Sequence, residues 1–315
     1  MDSLLTVATQ VGILFALMSV GFVARKTRLL GDAAIKGFVD FLVVVVTPAL
    51  VIHAFERPFD SSMLCSLALA FAFAIGGHFV AIVLATAFLR HRSAPTENVL
   101  KVAAVFSNAG FMGIPLEYAL FGSEGVFYGV VYVGVFNIVM WSWGYCTMRG
   151  VPPSRIGRGE ARMILINPGT AGLAIGLPIF FASINLPQAI DVPVKCLADI
   201  NTPLAMVVIG YHLAGAKAGP ILRTPMAWAA AAFRLVGYPL LMIGAFSVVG
   251  RFVFLDRTMC LALVVSSAAP VAALTAMLAA KYGSDVDMSV GLVSGTTLLS
   301  IATMPPVIAF AMHVL

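Results

Sequence analysis

The sequence predicts an all-α integral membrane protein of ten transmembrane helices, and four observations carry that expectation. Hydrophobic residues make up 61% of the chain and charged residues only 10%, against roughly 25% charged in an average soluble domain. Mean hydropathy is +1.01. Ten apolar runs approach the roughly 20 residues that a helix needs to cross hydrocarbon. Nearly all Lys and Arg fall in the short gaps between those runs, on alternate gaps, as topology signals do.

In order, the runs cover 4–24, 37–55, 63–89, 99–121, 125–148, 162–183, 189–214, 225–249, 258–281 and 287–312. The first lacks a basic leader and a small-residue cleavage site, so it reads as a retained span rather than a signal peptide. No gap is long enough for a soluble domain. The longest, 149–161, is rich in Pro, Gly and Arg and reads as a loop between two halves. Fourteen Lys and Arg lie on the side of that loop and three, Arg57, Arg251 and Arg257, on the other. The positive-inside rule therefore puts the loop in the cytoplasm and both termini outside an inner, cytoplasmic membrane. The excess of 19 basic over 14 acidic residues reports topology, not nucleic-acid binding. Cys65, Cys146, Cys196 and Cys260 sit in apolar runs without a CxxC pair and read as small core residues.

The fourth span is the anomalous one. Ser107 to Leu116 reads SNAGFMGIPL, so Asn108, Gly110, Gly113 and Pro115 fall within eight residues at mid-span. Proline removes a donor and glycine weakens helix, which predicts unwinding there, with a new half-helix starting near Ile114. Unwound backbone is tolerated at that depth only where it is buried in protein or lines a cavity. The ninth span holds Pro270, and a matching half-helix is expected near Ala269. Pro115 and Pro270 are 155 residues apart, as are Thr47-Pro48 in span two and Thr202-Pro203 in span seven. These are the second and fourth spans of two five-span halves. An odd number of spans per half makes the second copy enter from the opposite side, an inverted repeat.

SNAGFMGIPL followed by FGSEG, NTPLAMVVIG at 201–210 and SSAAPVAALTAMLAAKYG at 266–283 resemble the auxin efflux carrier family, including its bacterial malonate- and malate-type carriers. The resemblance spans essentially the whole chain. It implies scaffold segments at 1–60 and 151–222 (spans 1, 2, 6 and 7). It also implies a mobile transport domain at 61–150 and 223–315 (spans 3–5 and 8–10), with broken helices 4 and 9 crossing at the substrate. Nothing in the second break mirrors Asn108. A homodimer through the scaffold helices is left open.

Two positive half-helix ends meeting inside a membrane suit an anion. The expected ligands are Asn108, Gly110, Gly113, Ile114, Pro115, Ala269 and Pro270, with Ser266 and Ser267, joined by Thr275, as donors. Serine in a membrane helix also bonds its own backbone, and Asn137 in span five has an interhelical alternative. Arg234 is the deepest cation; it either pairs with a buried carboxylate or binds the substrate's. Asp199, Asp40 and Glu117 are the acids at membrane depth and the candidates for coupling to Na⁺ or H⁺. His53, His78 and Lys195 also lie in spans. The two Thr-Pro kinks read as structural.

No HExxH, paired aspartate signature or GxSxG is present; 291–295 has the wrong spacing for a nucleophile elbow. An enzyme, a cofactor and a metal are therefore not expected. The reading is an elevator-type secondary carrier of a small mono- or dicarboxylate. The alternatives are an anion channel, whose flux need not saturate, and an exporter of auxin-like aromatic carboxylates.

Overall fold

The computed structural model describes residues 2–152, 168–215 and 224–315. Most of the expected central loop, the first residues of span six and the topology signals Arg155, Arg158, Arg162, Lys217 and Arg223 lie outside the described residues. Within them the protein is helical. Among the described residues there is no strand, only one isolated antiparallel bridge between Ser107 and Val271.

The elements are α1 (Asp2–Lys26), α2 (Asp32–Phe55), α3 (Ser61–Phe88), α4 (Ala94–Val105) and α5 (Ala109–Arg149). They continue with α6 (Pro168–Phe181), α7 (Gln188–Ala214), α8 (Pro225–Val249), α9 (Arg257–Ala268), α10 (Ala273–Tyr282) and α11 (Val286–Val314). Seven of these, α1, α2, α3, α5, α7, α8 and α11, are long and apolar enough to cross a membrane. Gly122, at φ 63° and ψ −151°, divides α5 by a kink, a left-handed conformation that glycine adopts without a Cβ penalty. The expected fourth and fifth spans thus meet at a single residue.

Local sequence explains the ends. Asp60, Asp256 and Asp285 cap α3, α9 and α11 by accepting from the N–H groups of Ser62, Met259 and Met288. Thr96 at the start of α4 donates to the other oxygen of Asp285 at 2.7 Å, tying two distant helix ends together. Three prolines inside spans are each preceded by a widened π turn: Leu42–Val46 before Pro48, Ala109–Gly113 before Pro115 and Phe233–Gly237 before Pro239. The widening accommodates the ring and the missing donor without ending the helix.

Among the described residues α1 packs most extensively against the second half of α7, and glycine allows the close approach. A Cβ at Gly21 would run into the Val207 carbonyl, and one at Gly210 into the Met18 carbonyl. Small residues facing each other let two backbones approach where lipid offers no hydrophobic drive.

Two outcomes follow from this packing and capping. Gly210→Ala should lower stability by about 1–3 kcal/mol because α1 and α7 must separate. Gly12→Ala, with open space around it, should be neutral or slightly stabilising in the same thermal-unfolding assay in detergent. The second concerns Glu97, just before the fourth span. Its hydrogen bond from Lys101 at 2.5 Å, helped by the His91 N–H, holds its carboxyl below the ordinary value of 4.5 against the opposing effect of burial. That contribution is complete above the unfolded value and is lost as pH falls through the folded one. Glu97→Gln should therefore narrow the parent's stability advantage progressively on acidification, read as thermal midpoints over a pH series.

Candidate functional site

The interruption expected across Asn108–Pro115, with a new half-helix near Ile114, is confined to 106–108, and the new helix starts five residues earlier than expected. α4 stops at Val105, Phe106 is extended, and α5 begins at Ala109. Pro115 sits in the first turn after the π turn and is held within helix. The second break covers 269–272: Ala269 is extended ahead of Pro270, and α10 starts at Ala273 rather than Ala269. The two breaks hold each other open. Asn108 N–H donates to the Pro270 carbonyl at 2.6 Å and Ala272 N–H to the Phe106 carbonyl at 3.0 Å, flanking the Ser107–Val271 bridge. Thr296 Oγ1 accepts from Val271 N–H at 3.1 Å. Backbone that would cost several kcal/mol per unsatisfied group in hydrocarbon is paired across the crossing.

Interrupted helices leave four free carbonyls at each C-terminal end. Arg234, fully buried in α8, serves both ends: one guanidinium nitrogen donates to the Val105 carbonyl at 2.7 Å and to that of Ala104 at 3.4 Å, the other to that of Ser267. Its guanidinium also lies 4.6 Å from the Tyr238 ring centroid. Of the two readings for Arg234, pairing with a buried carboxylate is corrected: among the described residues its hydrogen-bond partners here are carbonyls, because the negative ends of α4 and α9 converge on it.

The opposite, N-terminal ends face a cavity. In α5 the first intrahelical bonds come from Met112 and Gly113 to the Asn108 carbonyl, and in α10 from Thr275 to Ala272. The preceding N–H groups are left for other acceptors. A cavity of about 240 Å³ lies here between α2 and α7 on one side and α5 and α10 on the other. Its polar lining is Thr47, Ser107, Asn108, Asn137 and Asn201; the rest is apolar, including Phe111, Phe136 and Met277, and no Lys or Arg is among the lining residues. A second cavity, of about 320 Å³, shares Asn108, Phe111, Ala273 and Met277 and adds His212, Ser294 and Thr297. Asn108 thus stands at the junction of the two.

Of the residues singled out in the sequence, Asn108, Gly110, Ile114 and Asn137 line the first cavity. The Asn137 amide also donates to its own helix at Val133. Gly113 packs against Ser266, and Pro115, Ala269 and Pro270 are buried beside the crossing without lining either of these two cavities. Ser266 Oγ is 2.5 Å from Glu117 Oε1, and Ser267 donates to Val264 in its own turn. Glu117 is fully buried against Gly129. Asp199 accepts from Tyr118 at 2.8 Å, and Asp40 is exposed. His78 is buried beside Tyr132 and Tyr238. Thr47 and Asn201 were expected at most as parts of kinks. The signal for Asn201 was present in the sequence: an amide directly before Thr202-Pro203 in an apolar run.

Helices opened in mid-span around an internal cavity define a class, polytopic membrane proteins built to admit solute within the bilayer. The chain matches the membrane transport protein family over residues 6–155 and 152–308. It belongs to that family, the auxin efflux carriers, as the sequence motifs suggested. It is also 26% identical over 299 residues to an uncharacterized transporter of Methanothermobacter thermautotrophicus, covering 92% of this chain and 93% of that one.

Replacing Arg234 should expose how much the crossing depends on it. Arg234→Met leaves three buried carbonyls without their charged donor, at about 1–3 kcal/mol each for an unsatisfied group. Arg234→Lys should rescue only partly, since a point charge cannot span both helix ends as the planar fork does. Thermal unfolding of the purified variants, ranked parent, Lys, Met, checks both.

Proposed function

We propose that this protein is a secondary carrier of a small organic anion, a mono- or dicarboxylate, working by elevator-type alternating access. On this reading the interrupted pairs α4/α5 and α9/α10 are the fourth and ninth of ten spans in two inverted five-span repeats. The observation that carries the proposal is the polarity of the crossing. Both C-terminal ends are neutralised by Arg234, while both N-terminal ends, with the Asn108 amide, border the cavity. Free N–H groups and positive dipole ends recognise negative charge.

The cavity's walls support the elevator assignment. α2 and α7 belong to the expected scaffold, and α5 and α10 to the expected transport domain, so the solute would sit at the sliding interface. Asn108, bordering both cavities, is placed to keep its contact on either side. The charge distribution of the loops favours extracytoplasmic termini in the cytoplasmic membrane. Asp199 and Glu117 remain the candidates for ion coupling, the first through its link to Tyr118.

Purified protein in proteoliposomes should take up a labelled carboxylate, saturate, and show counterflow on loading with unlabelled substrate. Linear, non-saturating flux without counterflow would instead favour a channel. Asn108→Leu keeps the volume and removes the amide, and should weaken carboxylate binding by about 1–3 kcal/mol, the range for a hydrogen bond to a charged group. Parent-like binding by a folded Asn108→Leu protein would move the anion away from the crossing.

A further inference from the structure

Away from the cavity, His53, Glu56 and Asp191 bring one ligand atom each to within 4.8 Å of one another. His53 is in the last turn of α2, Glu56 is the residue that ends it, and Asp191 is in the first turn of α7. His53 Nδ1 lies 4.0 Å from Asp191 Oδ1. None of the three lines either cavity at the helix crossing.

Glu56 is the informative member. Its Oε1 accepts the Leu186 N–H at 2.6 Å, which fixes the carboxylate's orientation. Its Oε2 is enclosed, with no hydrogen-bond partner among the described residues. An ionised carboxylate oxygen in that condition is costly unless a cation meets it. The adjacent arginine does not: Arg57 is turned to the Ala54 carbonyl, Ser123 and the Phe127 ring. A hydrogen-bonded carboxylate with one free oxygen, next to an imidazole and a second carboxylate, is how a metal ligand is held by its outer partners.

We propose that His53, Glu56 and Asp191 form a binding site for a divalent transition metal, of which Zn²⁺ is the representative. One nitrogen and two carboxylate oxygens make a three-ligand set that leaves a fourth position for water. Ligand bonds of about 2.0–2.2 Å require the three atoms to draw together by roughly 1 Å, within the reach of side-chain rotation. The imidazole selects zinc, nickel or cobalt over magnesium and calcium, which take oxygen ligands. The bound ion would clamp the end of α2 to the start of α7 and, through Glu56, to the connection ahead of it. It offsets the two negative charges there and lies at the C-terminal end of α2, where a cation is favoured. The proposal is independent of which solute the protein carries.

The test is calorimetric titration of Zn²⁺ alone into the full chain, purified in detergent and stripped with EDTA. One equivalent should bind to this site and raise the thermal midpoint, as a ligand specific to the folded state does. Co²⁺ at the same site should give visible d–d bands that Zn²⁺ displaces. The His53→Gln, Asp191→Asn double variant should bind at least about tenfold more weakly, the scale on which losses in a metal's ligand shell are felt. Glu56→Gln, which keeps the shape and the acceptor for Leu186, should do the same and serves if the double variant does not fold. Absence of Zn²⁺ binding in the parent, unchanged affinity in the folded variants, or equal binding of Mg²⁺ or Ca²⁺ would each overturn the proposal.

Discussion

The backbone exchange at 106–108 and 270–272 is the constraint from which the rest of the architecture follows. Two helices cannot open inside hydrocarbon separately, because each would leave its N–H and C=O groups without partners. Opened against each other, Asn108 and Ala272 each donate to the opposite break, and the defect closes on itself. That pairing requires the surrounding helices to hold the breaks in register. The tie from Thr96 to Asp285 and the packing of Gly113 against Ser266 contribute to this. Arg234 supplies the remaining condition by serving the carbonyls that the exchange leaves over.

A single cation serving two helix ends also explains why it stands without a carboxylate. Converging C-terminal ends carry about half a negative charge each. One guanidinium therefore matches the pair in sign and nearly in size, and its flat fork reaches oxygens on both helices. A carboxylate beside it would restore net negative charge at the crossing and draw the fork away from the carbonyls. The stacking of Tyr238 on the guanidinium adds attraction without adding charge.

Much of this was legible in the sequence, and what was not has specific causes. Hydropathy anticipated an all-helical membrane chain, of which seven helices are long and apolar enough to cross a membrane, and Asn108 and Pro270 marked the two interruptions. The first break includes Asn108 but is shorter than expected, because Gly110, Gly113 and Pro115 were taken as breakers. A π turn at Ala109–Gly113 accommodates Pro115, and the chain opens where a partner break can pair with it, a tertiary fact with no local signature. Arg234 was recognisable as the deep cation, but its carbonyl partners come from segments about 130 and 33 residues away. Gly21 and Gly210 were invisible as a pair, since only the docking of α1 on α7 brings Gly21 against the Val207 carbonyl and Gly210 against the Met18 carbonyl. Asn201 was read as part of a kink because its neighbours are Thr and Pro; only the fold turns it toward Asn108 and Asn137.

The cavity's polarity has a consequence for a carrier of the proposed kind. Its polar lining is three amides and two hydroxyls, and Arg234, the buried cation at the crossing, is committed to carbonyls outside it. An anion would therefore be held by neutral donors and partial helix charges rather than by a full positive charge on the site. A formal charge moved through a membrane potential of 100 mV changes energy by about 2.3 kcal/mol. The binding groups themselves add no net charge to that term; a loaded site differs from an empty one by the charge of its solute, while Arg234, in the expected transport domain, would move with both. The same neutrality limits affinity, since charge-assisted ion pairs are stronger than hydrogen bonds from amides. A carrier benefits from that limit, because a solute held by a buried ion pair would be released slowly on the far side. On the proposed reading, capping the negative helix ends with Arg234 would let the site attract an anion without placing a full cation in its path.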